Sequence, residues 1–293
     1  MPERIDFRDQ IARNKIKSFM LMLVIFAVVV AIVYVIGIAW GGAGAFVILS
    51  FAIIISILYI LLTYYNSDKI ALASVGAKPA DRAKNKQYYD LVESLTIASG
   101  VPMPKLYIMP SMQINAFASG RNPKNSVICV TQGALDKLEK RELEGVLAHE
   151  LSHVANYDTR YITLAAVMVG IVSIISEIFL RSLWFRGGDR DNGKGNAIFL
   201  LIGIVLAVIA PIVVYLVQLA ISRKREYTAD ATAVEFTRYP GGLIGALKKI
   251  KNDNQPEKKV PRAVAPLFIA SPFGNLASTH PPLEKRIEVL ERM

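Results

Sequence analysis

Four apolar runs divide this chain, and any fold must first decide where to put them. Phe19 to Ala39 is an unbroken apolar stretch, Trp40-Gly41-Gly42-Ala43-Gly44 interrupts it, and Ala45 to Tyr65 is a second run without a charge. Each is long enough to cross roughly 30 Å of hydrocarbon as a helix. Two more, Tyr161 to Leu180 and Ala197 to Ala220, lie in the second half. With 53% hydrophobic residues and a mean hydropathy of +0.38, the chain is too apolar for an ordinary soluble protein. Its 20% charged residues are gathered into blocks between the runs. This composition predicts an integral-membrane protein.

Charge placement predicts the topology. Arg4, Arg8, Arg13, Lys15 and Lys17 precede the first run, Lys69, Lys78, Arg82, Lys84 and Lys86 follow the second, and the short connection carries none. The positive-inside bias puts both flanks in the cytoplasm, under the plasma membrane. A removable signal peptide is the rival reading of the first run, but its length and the lack of a cleavage site favour an anchored hairpin. The loop from Arg181 to Asn196 runs against the rule, because it holds Arg181, Arg186, Arg190 and Lys194, offset only by Asp189 and Asp191. Glu177, inside the third run, reads either as a functional group in lipid or as an interfacial partner of Arg181 one turn later. The formal charge of +10 follows the ends of the apolar runs. Anionic lipid headgroups fit it, and no motif for nucleic acid accompanies it. The single cysteine, Cys129, excludes an internal disulfide, suits a reducing compartment, and reads as a small buried hydrophobe in the strand Val127-Ile128-Cys129-Val130.

The chain has three histidines, and two of them form His149-Glu150-Leu151-Ser152-His153. Residues four apart on a helix share a face, so both imidazoles can converge on one zinc ion with Glu150 beside it. A catalytic zinc takes three protein ligands and keeps its fourth position for water, which a neighbouring carboxylate deprotonates. One ligand is therefore still missing. Downstream, Glu226 and Asp230 again stand four apart in Ser222-Arg223-Lys224-Arg225-Glu226-Tyr227-Thr228-Ala229-Asp230. Glu226 can complete the set, with Asp230 orienting a zinc-bound imidazole through its other nitrogen. Alternatively Glu226 is a surface charge paired with Arg223 or Arg225. If the ligand reading holds, the third and fourth runs must leave and return on the same side, as a second hairpin.

Taken together, Val146 to His153, Ser222 to Asp230, Asn115-Ala116-Phe117-Ala118 and Ser278-Thr279-His280-Pro281-Pro282 resemble the HtpX-like integral-membrane zinc metalloproteases, relatives of the CAAX prenyl endoprotease. The resemblance runs from the first apolar run to the C-terminal helix. It implies a gluzincin-type endopeptidase with His149, His153 and Glu226 on one zinc ion and Glu150 as general base. It further implies that Asn115 and Ala116 lie on a strand edge that pairs with the substrate backbone, and that His280 and Arg286 donate to the carbonyl oxygen in the transition state. Asn115 could instead make a turn contact, His280 could lie at the cap of the last helix with Arg286 on its surface, and Phe117 reads as core. The implied task is quality control of misfolded or damaged membrane proteins. Two alternatives stand beside it: a membrane scaffold or holdase with structural zinc, and a prenyl-peptide processing protease, whose seven expected spans four apolar runs cannot supply.

The expected fold is an α+β membrane protein with two hydrophobic helical hairpins and a metalloprotease domain holding a small antiparallel sheet. Its parts are a basic N-terminus (1–18), a hairpin (19–65), a first catalytic part (66–160), a second hairpin (161–220) and a second catalytic part (221–293). Periodicity predicts helices over Asp81 to Ser99, Arg141 to Tyr157 and Leu283 to Arg292, and strands over Lys105 to Met109, Ile114 to Ser119 and Ser126 to Thr131. Asn252 to Asn275, rich in proline and charge, reads as an exposed loop near the substrate cleft.

Overall fold

The computed structural model describes residues 12, 14–24, 26–27, 30, 45–164, 223–253, 260, 264–271 and 281–293. Most of the first apolar run, the second hairpin beyond residue 164, the loop with Arg181, Glu177 and His280 lie outside the described residues.

Helix α1 (Ala45–Ser74) is kinked at Asn66 (φ −117°, ψ 18°), where the side-chain amide donates to the carbonyl of Leu62 at 2.9 Å. Before the kink, Phe51, Ile54, Leu58, Leu61 and Leu62 are exposed; after it, Ala71 and Leu72 are buried against the sheet. Among the described residues no helix is long and apolar enough to cross a membrane, so neither expected hairpin is established.

The sheet contains β1 (Lys78–Pro79), β2 (Lys105–Met109), β3 (Ala116–Asn122) and β4 (Asn125–Thr131) in the order β1-β2-β4-β3. It is mixed rather than purely antiparallel, because β2 and β4 run parallel, with Leu106 opposite Ile128 and Ile108 opposite Val130. The physical reason lies in β4, the most apolar strand. It is buried on both faces, which suits an interior position, and its hairpin with β3 then leaves β3 outside. Val127 and Cys129 face a core with Leu72, Phe117 and Phe268. Ile128 and Val130 face the main core with Leu91, Leu95, Leu147 and Leu151. Burial raises the Cys129 thiol far above its usual range, in keeping with its place as core. β3 continues past Ser119 to Asn122 because Gly120 (φ 133°) lets the strand bulge where a side chain would strike Asn125.

Helix α2 (Lys86–Ser99) begins later than its periodicity suggests, after a turn in which Asp81 Oδ1 accepts from the amide of Ala83 at 2.8 Å. It stops at Gly100, whose left-handed φ of 68° lets its amide return to Thr96. A short helix α3 (Gln132–Lys137), capped by Thr131, leads to α4 (Lys140–Ala155), where Glu139 and Glu142 form a reciprocal cap. From Leu143 to Val154 nearly every side chain of α4 is buried. This helix carries the His-Glu motif through the centre of the molecule, flanked by α5 (Arg223–Thr237), α6 (Pro240–Asp253) and α7 (Leu283–Leu290). At the α4–α6 crossing the backbones nearly touch: a Cβ on Gly145 would lie 2.5 Å from the Leu243 nitrogen, and one on Gly242 would lie 2.2 Å from the Arg141 carbonyl.

The stretch expected as an exposed loop departs from that reading. Val264, Leu267, Phe268, Ile269 and Ala270 are all buried, around a 3-10 turn at Ala265–Leu267. A short apolar run inside a polar segment has covered the open edge of β3: Phe268 bridges to Phe117, and the Ile269 amide donates to the Ala116 carbonyl at 3.0 Å.

Candidate metal centre

α4 supplies His149, Glu150 and His153, and α5 supplies Glu226 and Asp230. The helices bring Nε2 of His149 within 3.6 Å of Glu226 Oε2, Nε2 of His153 within 3.7 Å of Glu226 Oε1, and the two Nε2 atoms within 3.3 Å of each other. All three ligand atoms lie within 4.8 Å of one another, and all three residues are buried.

These residues fit a metal ion. A tetrahedral zinc with nitrogens at about 2.0–2.1 Å holds them about 3.3 Å apart. The other ring nitrogens point the same way. His149 Nδ1 is 2.9 Å from Asp230 Oδ1, and His153 Nδ1 is 3.1 Å from Asp158 Oδ2. With each Nδ1–H donated to a carboxylate, both Nε2 lone pairs face one small space, an arrangement suited to a shared cation. Burial and Arg286 push the His149 imidazole pKa down, but Asp230 and Glu226 outweigh them and hold it at about 9. The same carboxylates make the space negative, which favours a divalent cation in competition with that proton.

Glu150 is 1% exposed, and neither of its carboxylate oxygens has a hydrogen-bond partner. Burial raises its pKa, against the opposing pull of His149 and His153. A buried carboxylate without a donor is costly as a structural element and suits a group awaiting a water or a substrate.

Arg286, on α7, is fully buried. Its Nε donates to Asp230 Oδ2 at 2.9 Å and its Nη2 to Asp230 Oδ1 at 2.6 Å. Its Nη1 donates to the Ile269 carbonyl at 3.0 Å and lies 3.6 Å from Glu226. The guanidinium is thus committed behind the ligands, holding Asp230 below its usual pKa against the cost of burial. Asn115 is also committed: its amide donates to the Ala270 carbonyl at 2.9 Å, its oxygen accepts from Ala116 at 3.1 Å, and both residues are buried. In this conformation the β3 edge they form is taken by the chain itself. Phe117 is core, stacked edge-on against Phe268 at 5.1 Å.

Asp158 has no part in the expectations from sequence, yet it holds His153 as Asp230 holds His149. It follows Tyr157, whose φ of 60° turns the chain sharply at the end of α4. Helical spacing cannot find a residue placed by such a turn.

Residues 82–293 match the sequence profile of Peptidase family M48. The chain belongs to Peptidase family M48. Members at high similarity are described as Protease HtpX homolog. That of Caldanaerobacter subterraneus subsp. tengcongensis is 45% identical over 261 residues, 87% of this chain and 86% of the relative. That of Lactobacillus helveticus is 42% identical over 305 residues, 97% and 99% of the two chains. That of Dictyoglomus thermophilum is 40% identical over 292 residues, 98% and 95%. The crystal structure of S. mikatae Ste24p shares the fold, with a TM-score of 0.52 at 17% identity over 97% of this chain and 67% of that one. As an M48 peptidase the chain is a metal-dependent endopeptidase whose substrates are polypeptides.

Proposed function

We propose that this M48 peptidase binds one zinc ion through His149, His153 and Glu226, lies in the plasma membrane with its metal centre on the cytoplasmic side, and hydrolyses misfolded or damaged membrane proteins. The observation that carries the reading is the meeting of three ligand atoms within 4.8 Å beside the unpartnered carboxylate of Glu150. Two imidazoles and one carboxylate suit zinc. A structural zinc site normally has four protein ligands, often cysteines, whereas the one cysteine here is buried in the sheet. The exposed apolar side chains of α1 support a membrane setting, with 19–65 and 161–220 as hairpins and 66–160 and 221–293 forming the catalytic part.

When bound, zinc supplies the positive charge that polarises the scissile carbonyl and acidifies water. Glu150 takes the proton of the attacking water and passes it to the leaving amine, which its position one residue after His149 on a rigid helix allows. Asp230 and Asp158 hold the two imidazoles at their Nδ1 atoms, so the Nε2 lone pairs stay aimed at the metal. Arg286 locks Asp230 and neutralises part of the buried negative charge. Its committed donors support this positioning role over direct donation to the carbonyl oxygen, which leaves His280 as the donor in the resemblance.

The test is Glu150→Gln in the full-length protein in detergent. It keeps the fold and the zinc content and loses nearly all cleavage of an unfolded protein substrate, because an amide has the same shape but accepts no proton. Loss of zinc together with activity would show that Glu150 belongs to the binding site, and unchanged cleavage would remove it as the base.

A further inference from the structure

The N-terminal segment reaches into the metal centre. Residues 14–24 are helical, and Asn14, Ser18 and Leu21, spaced along one helix face, are 3%, 0% and 1% exposed. Asn14 is the polar tip of that face. Its Nδ2 donates to Asp158 Oδ1 at 2.7 Å and to the Asn156 carbonyl at 2.9 Å, so both amide hydrogens are used. Ser18 fixes the Asn14 backbone through a 2.8 Å bond to its carbonyl. Lys15 packs its ammonium 4.7 Å from the centre of the Tyr157 ring. The whole contact falls on the turn that follows α4.

Asp158 is fully buried, and its two oxygens divide the work: Oδ1 accepts from Asn14, and Oδ2 faces His153 Nδ1 at 3.1 Å. A carboxylate fixed at only one oxygen can rotate about its own axis. One fixed at both presents the imbedded imidazole with a single direction. Arg225 lies 3.8 Å from the same Oδ1, beyond hydrogen-bond distance, so Asn14 supplies the short contact that sets the orientation.

We propose that Asn14 is a positioning residue for the metal: acting through Asp158, it fixes the direction and tautomer of His153, so that metal affinity depends on the Asn14–Asp158 hydrogen bond. Asn14 lies outside residues 82–293, the part matched to the family. The centre is therefore completed by the segment that leads into the first apolar run. The inference rests on His149, His153 and Glu226 being the ligands.

Zinc affinity of the full-length protein in detergent, measured by competition with a chromophoric chelator, tests it without an activity assay. Partners one step behind a ligand typically change metal affinity 10–100-fold. Asn14→Leu, which keeps the volume but not the donors, is expected to weaken zinc binding about tenfold and to alter the visible spectrum of the cobalt-substituted protein. Leu21→Ala, which loosens the same helix without touching Asp158, lowers the unfolding temperature and leaves affinity and spectrum unchanged. Asp158→Asn weakens zinc binding alone, and adding Asn14→Leu to it costs little more, since the path is already cut. Wild-type affinity in Asn14→Leu, an equal loss in Leu21→Ala, or full additivity with Asp158→Asn overturns the proposal. Absence of zinc uptake by the wild type overturns the ligand set and this inference together, whereas uptake lost in His153→Ala but unmoved in Asn14→Leu overturns only the latter.

Discussion

The two imidazoles of the centre are supported in unlike ways. His149 leans on Asp230, one helical turn beyond Glu226, and Asp230 is clasped by both the Nε and the Nη2 of Arg286. That support is a buried charge pair, and Asp230 and Arg286 are each 0% exposed. His153 leans on Asp158, which is met at short range by a neutral amide from Asn14, with Arg225 at 3.8 Å. A buried charge pair offers strong orientation but tolerates no missing member. A carboxylate held by an amide gives up some strength and loses less when its partner is removed.

The largest effect should come from Arg286→Leu. It leaves Asp230 charged and buried with only His149 to pair it, which costs about 3–5 kcal/mol, measured by urea unfolding of the metal-free protein. A loss below about 1 kcal/mol would mean that the pair tolerates a missing member after all. Asp230→Asn and Asp158→Asn sharpen the contrast through zinc affinity. Both fall within a roughly 10–100-fold loss, Asp230→Asn nearer the upper end because it also strands the guanidinium. Equal losses at the two positions would erase the comparison. The smallest effect belongs to Lys15→Met, which removes only the contact with Tyr157. It should cost about 0.5–1 kcal/mol of stability and leave zinc affinity alone.

The same contrast separates what could be read from the sequence from what could not. His149 with His153 and Glu226 with Asp230 are two pairs at the spacing of one helical turn, so their shared faces are local facts that survive any tertiary arrangement. The structure does bring His149, His153 and Glu226 together. Asp158 lies beyond the end of α4 and is placed by the left-handed Tyr157, while Asn14 is 144 residues away from it in sequence. No periodicity links such residues. The sheet divides similarly. Its strand segments are visible as short apolar stretches, but the parallel pairing of β2 with β4 depends on which strand the core selects for the interior, a choice made by all the surrounding helices at once. The apolar run Val264 to Ala270 does carry a burial signal, masked by the proline and charge of the longer segment around it. The stripe Leu243, Ala246, Leu247 and Ile250 marks α6 as a buried helix face, though nothing in it points to the metal.

An open sheet edge is a template on which foreign chains can grow, and proteins commonly protect it. Here the guard is a piece of the same chain: Phe268 to Ala270 lies along Ala116 and Asn115. Any peptide that pairs with β3 at this place must exchange itself for that guard. Such an exchange breaks about as many backbone hydrogen bonds as it makes, so the backbone contributes little net affinity. Discrimination then passes to side chains, which must match the fit of Phe268 against Phe117, and to conformation, since only a chain already extended can invade. If substrate pairs with β3, an edge guarded in this way would favour unfolded proteins over folded ones.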